Sequence, residues 1–138
     1  MVTKNELYEF LNSQNHAVIS TVSSEGKPQA ALVGFGQTQD LELIFGTDMT
    51  TRKAQNLSKN KIVALVINGP DSCVQYEGRA RQVEKDELEK YFDLFFKKIP
   101  GLEKYSQLKN QIYFVVTPSW IRYIDHTTSP GTVSEVRF

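Results

Sequence analysis

A mainly β chain with a few helices, folded as an antiparallel barrel, is the class this sequence predicts. Its apolar, β-branched stretches are short and are joined by hairpin-length turns, such as SEGKP at residues 24–28 and NGPDS at 68–72. The few segments with helical spacing fall at corners between runs of strands. They do not alternate with every strand, as the helices of a parallel sheet would.

Residues 5–11 place Leu7, Tyr8, Phe10 and Leu11 at helical spacing, with Thr3 and Glu6 in a capping-box pattern. HAVISTVS (16–23) is a strand rich in β-branched residues. QAALVGFG (29–36) and LELIFGT (41–47), joined at QTQD, read as the second and third strands of a meander. TTRKAQNLSKN (50–60) breaks the pattern with good helix formers over about two to three turns. KIVALVIN (61–68) reads as a buried strand. CVQYEGRARQVE (73–84) is a longer strand, and Gly78 inside it predicts a bulge or a close approach by another backbone or ligand. KDELEKYFDLFFKKIPG (85–101) is an amphipathic helix. Leu88, Tyr91, Phe92, Phe95 and Phe96 form its apolar stripe, and Pro100-Gly101 ends it. LEKYSQLKN (102–110) is a loop or short helix. QIYFVVTPSWIRYID (111–125) is the last long strand, where Pro118 implies a bulge or an edge. The polar tail, residues 126–138, ends in a short strand. No linker or repeat interrupts the chain, so residues 1–138 are expected to form a single domain.

The 138 residues carry 16 Lys and Arg against 16 Asp and Glu, so no field of one sign favours nucleic acid or an anionic membrane as partner. The apolar runs are too short to span a bilayer, and MVTKNELYEFL has no apolar signal core, so a cytoplasmic location is expected. The lone Cys73 and the two histidines, His16 and His126, have no metal-ligand or triad spacing, so no metal is expected. Asp86, Glu87 and Glu89 are interleaved with Lys85 and Lys90 as on a solvated face.

One stretch carries chemistry. In FGTDMTTRKAQN (45–56), Gly46 ends a strand and leaves room for a ligand near the backbone. Thr47, Thr50 and Thr51 offer hydroxyls, and the following helix presents unpaired N–H groups and the positive end of its dipole. Arg52 and Lys53 in its first turn oppose that dipole, and a bound dianion would reverse the penalty. A capped helix on a solvated face explains the same threonines.

The order LIFGTDMTTRKAQNLSKNKIVALVI resembles the flavin-phosphate segment of the pyridoxamine 5′-phosphate oxidase-like family. The matching positions are Phe45, Thr47, Thr51, Arg52, Lys53, Leu57, Asn60 and the strand at 62–67. YEGRARQV, with Gly78, and VVTPSWIRYID, with Pro118 and Trp120, resemble the family's later strands. The resemblance implies a six-stranded antiparallel split β-barrel of Greek-key type with flanking helices, and a homodimer with FMN at its interface. It implies that Thr47, Thr51, Arg52 and Lys53 hold the FMN phosphate. Ala30, Ala31, Leu32, Val33 and Gly34 would line the isoalloxazine. Trp120 either approaches the flavin from the partner subunit or anchors the barrel or the interface. The basic Arg-x-His segment that holds the substrate of true pyridoxamine phosphate oxidases has no equivalent in IDHTTSPGTVSEVRF, where Arg122 and His126 are spaced differently. Cys73 stands where the family often has Gln. The resemblance therefore implies an FMN-dependent oxidoreductase acting on an unidentified small molecule, with no catalytic residue assigned. A non-catalytic module that binds or senses flavin, deazaflavin or haem is the alternative.

Overall fold

The computed structural model describes residues 1–138. The strands are β1 (His16–Val22), β2 (Pro28–Gly34), β3 (Gly36–Gln37), β4 (Leu43–Asp48), β5 (Ile62–Asn68), β6 (Ser72–Gln82), β7 (Gln111–Asp125) and β8 (Thr132–Arg137). The helices are α1 (Lys4–Asn12), α2 (Arg52–Leu57) and α3 (Leu88–Lys98), followed by a 3₁₀ segment at Pro100–Gln107. All pairings are antiparallel, in the order β2-β1-β5-β6-β7-β4-β3 with β8 added to β7.

The expected six strands become an 8-stranded sheet for two reasons. The tail supplies β8, and the second expected strand breaks at Phe35. That ring is wholly buried, and a Cβ at Gly36 would lie 3.1 Å from both Ile44 Cγ2 and Phe95 Cδ1. The break also corrects the expected meander. β2 remains on β1, whereas β3 crosses to pair with β4, whose long partner is β7. One residue thus joins the two ends of the sheet, which must curl into a half-barrel to allow it.

The larger core cluster fills the inside of the curl and includes Leu7 and Leu11 of α1 and Leu57 of α2. A second cluster packs Tyr91 and Phe95 of α3 onto Ile44, Tyr113 and Val115. Thr3 caps α1 by accepting the Glu6 N–H at 3.1 Å. The Glu6 carboxylate takes the Thr3 hydroxyl, so the reciprocal backbone bond of a full capping box is replaced. α2 is shorter than expected and α3 begins later, at Leu88, where no side chain caps it. At Gly78 the β6–β7 register shifts opposite Ser119. A Cβ there would collide with the Thr117 carbonyl oxygen, so the bulge and the close backbone approach occur together.

β5 corrects another expectation. From Ile62 to Ile67 it is apolar throughout, yet only Val63, Leu65 and Ile67 are buried, while Ile62 and Val66 are 53% and 43% exposed. The inner face meets the core, and within this chain nothing covers the outer one. Val66 pairs with Val18, and Val18 with Leu32, so an apolar row crosses three strands on that outer face.

Candidate functional site

β2 ends the sheet order, so one of its edges has backbone groups without a ladder partner. Between that edge and β4 lies a cavity of about 280 Å³. Leu32, Val33 and Gly34 form one side, and Gly46, Thr47 and Lys53 another. Phe95 and Phe96 of α3, with Leu102 and Tyr105 of the 3₁₀ segment, form an aromatic wall. Gln111 and Tyr113 of β7 complete the lining.

The entrance to α2 is tightly built. Thr51 is its N-cap and accepts the Ala54 N–H at 3.3 Å. The hydroxyls of Thr47 and Thr51 are 2.9 Å apart, and that of Thr51 donates to the Asp48 carbonyl at 2.9 Å. The Asp48 carboxylate accepts the Thr50 hydroxyl at 2.7 Å and its N–H at 2.8 Å, and these bonds hold its pKa below the usual carboxylate value. The backbone N–H groups of Arg52 and Lys53 find no protein acceptor. Lys53 is half-buried, and burial lowers its pKa. It has no acidic partner, since the ion pairs of the chain are Lys4–Asp40, Lys27–Glu25 and Arg81–Glu87. A desolvated ammonium beside free N–H donors is an environment that an anion relieves.

Arg52 and Lys53 do not face the same hollow. Neighbours on a helix point about 100° apart, and Arg52 is exposed over a separate polar groove with Ser23, Ser24, Thr50 and Lys59. The α2 entrance lies between the two. Asn56, buried on the inner face of α2, donates to Thr21 Oγ1 at 2.9 Å and Gln29 Oε1 at 3.0 Å, fixing the helix to β1 and β2. Its signal in the sequence was a polar residue on the apolar face of a helix.

Of the second-strand residues, Leu32, Val33 and Gly34 reach the cavity. Ala31 packs against the core and Ala30 is exposed. Trp120 is elsewhere. Its row runs across the sheet through Ala30, Ser20, Ala64, Glu77, Trp120 and Arg137, and its Nε1–H donates to Glu135 Oε2 at 3.4 Å. His16 and His126 lie outside the cavity lining. Burial raises the Cys73 thiol pKa, which disfavours the thiolate.

Gln111 and Tyr113 had no signal beyond their place in an apolar strand. Both cover Gly46, where a Cβ would come within 2.7 Å of Gln111 Nε2 and of Tyr113 Cε1. The Tyr113 side chain is buried, and its hydroxyl has no hydrogen-bond partner. Burial raises its pKa. The Gln111 amide opposes this in part without reaching hydrogen-bonding geometry.

A family model described as pyridoxamine 5′-phosphate oxidase matches residues 3–125. The pyridoxine/pyridoxamine 5′-phosphate oxidase of Bacteroides thetaiotaomicron is 32% identical over 77 residues, 54% of this chain and 36% of that protein. The chain spans less than half the length of the curated relatives it matches. Among solved structures, a haem-binding protein from Mycobacterium smegmatis superposes with a TM-score of 0.85 at 16% identity, over 99% of this chain and 59% of that one. A pyridoxamine 5′-phosphate oxidase-related, FMN-binding protein from Nostoc punctiforme gives 0.70 at 11% identity, over 100% and 97%. At these identities the structures share the fold. No helix is long and apolar enough to cross a membrane.

Proposed function

The chain belongs to the pyridoxamine 5′-phosphate oxidase-like family, and from that premise we propose that it binds FMN and works as an FMN-dependent oxidoreductase on a small molecule. The observation that carries this reading is Lys53, a half-buried ammonium with no acidic partner beside two free N–H groups. Thr47, Thr51, Arg52 and Lys53 would hold the phosphate. It would sit at the α2 entrance between the two hollows, where both cations can turn to it. The ring system would lie against the free edge of β2, where backbone N–H groups can favour the reduced, anionic form. FMN supplies the redox chemistry when bound. The chain's own part is to bind, to orient and, through the apolar cavity walls, to exclude water.

The working unit in this reading is a homodimer in the cytoplasm. The cavity is smaller than most small-molecule sites, and Leu32 belongs both to its lining and to the bare apolar row on the outer face. A second copy covering Leu32, Val18 and Val66 would bury that row and close the cavity with one surface. Trp120 lies on that same outer face, in the row of Ala30, so the partner's copy is the one able to reach the flavin.

The Mycobacterium smegmatis likeness favours a second reading, a haem-binding module without turnover. Against it, neither histidine lines the cavity, and the α2 entrance suits a phosphate. Incubation of the purified protein with FMN and with haem, followed by gel filtration and absorption spectra, separates the readings. FMN should be retained with a perturbed flavin spectrum. The Arg52→Ala/Lys53→Ala double variant should keep its fold and lose the flavin; equal retention there would refute the phosphate assignment. Anaerobic mixing of the loaded protein with reduced nicotinamide and electron acceptors then tests turnover.

A further inference from the structure

We propose that the part of the cavity under α3 and the 3₁₀ segment is a binding site for a neutral, flat ring carrying a hydrogen-bonding oxygen, such as a phenol or a quinone-like carbonyl compound. The proposal rests on the FMN reading only in taking the α2 end as the cofactor's. Three observations carry it. The wall is made of Phe95, Phe96 and Tyr105, whose flat faces suit another ring, together with the aliphatic Leu102. Lys53 is the only charged residue in the lining, and it belongs to the α2 end with Thr47. The nearby cations are committed elsewhere. Lys98 donates to Gln37 Oε1 at 2.6 Å and Leu11 O at 3.1 Å, and Lys104 is exposed against the Tyr105 ring. The wall therefore has nothing to hold a second phosphate or a carboxylate. Finally, the Tyr113 hydroxyl, on a residue only 4% exposed, is unpartnered, and the Gln111 amide covers the same Gly46. A buried hydroxyl without a partner is costly to keep, and a ligand oxygen would satisfy it. A site of this kind discriminates strongly against a ligand that lacks the oxygen.

The test is calorimetric titration of the full chain, with and without FMN, using 2-naphthol, naphthalene and 2-naphthyl phosphate as probes. With FMN occupying the α2 end, the neutral phenol should bind most tightly, with the phosphate ester about tenfold weaker or worse. Tyr113→Phe should weaken 2-naphthol by about tenfold and leave naphthalene unchanged. Because it removes an unpaired hydroxyl, this variant should fold with an unchanged or raised Tm. Phe96→Arg, at a half-buried position of the wall, should shift preference toward the phosphate ester. Tighter binding of the phosphate ester by the FMN-loaded, unaltered protein, or equal binding of 2-naphthol by Tyr113→Phe, would overturn the proposal. A protein that takes up no FMN but still binds 2-naphthol would refute the cofactor reading alone.

Discussion

At the scale of single residues, the informative positions are those whose environment contradicts their chemistry. Lys53 is a cation at the positive end of a helix, half-buried and without an acid. Capping accounts for Thr51 and Asp48, but it gives no reason for Lys53. Gly78 is the opposite case, where a missing side chain is the requirement. Its α-hydrogen faces the Thr117 carbonyl across the bulge, and Gly78→Ala would push a methyl into a backbone atom that cannot step aside. We expect that variant to lose about 1–3 kcal/mol of stability, read from chemical denaturation, with the β6–β7 pairing as the region disturbed. A fully stable Gly78→Ala protein would mean that the bulge is adaptable.

At the scale of elements, α3 and α1 are tied by Lys98. Its ammonium donates to the carbonyl at the end of α1 and to Gln37, and it lies 3.7 Å from the centre of the Phe35 ring. Burial lowers its pKa to about 7 from 10.5. Between those two values the unfolded chain holds a proton that the folded chain has released, so stability should rise with pH across that window. Below about pH 7 the cost of burying the charge is fully felt. Thermal melts from pH 6.5 to 9 should show Tm increasing, and Lys98→Met should flatten that slope; a parallel pH dependence in the variant would assign the effect to another group. Most elements were legible because each has a local cause: Thr3 and Thr51 as caps, the Tyr91 and Phe95 stripe, Pro100-Gly101, and Gly78 in its strand. The break at Phe35 was not, because QAALVGFG is a good strand throughout and only its pairing partners differ. The cavity's aromatic wall was hidden for a similar reason. Phe95 belongs to the core stripe and to the cavity at once, and periodicity reports only the first role.

For the whole molecule, the bare face of β2, β1 and β5 is the feature to challenge. Leu32, Val18 and Val66 are 68%, 44% and 43% exposed, and they stand side by side. This is the patch that the proposed dimer would cover. Val66→Lys should leave the fold intact, convert the proposed dimer to monomer in sedimentation, and reduce FMN retention in step. A monomeric variant that holds FMN as well as the original would separate the cofactor site from the interface. The single-residue link at Phe35 also has a consequence for how the chain comes to its native state. β4 acquires its long partner only when β7 has been made, and three of the seven pairings, β1–β5, β4–β7 and β6–β7, join strands far apart in sequence. Refolding should therefore be slow for the chain's size. During synthesis, a nascent chain halted before Gln111 would leave β4 and β6 with open, apolar edges. The native barrel thus closes only once β7 has been made, and until then those edges stand open to wrong pairing.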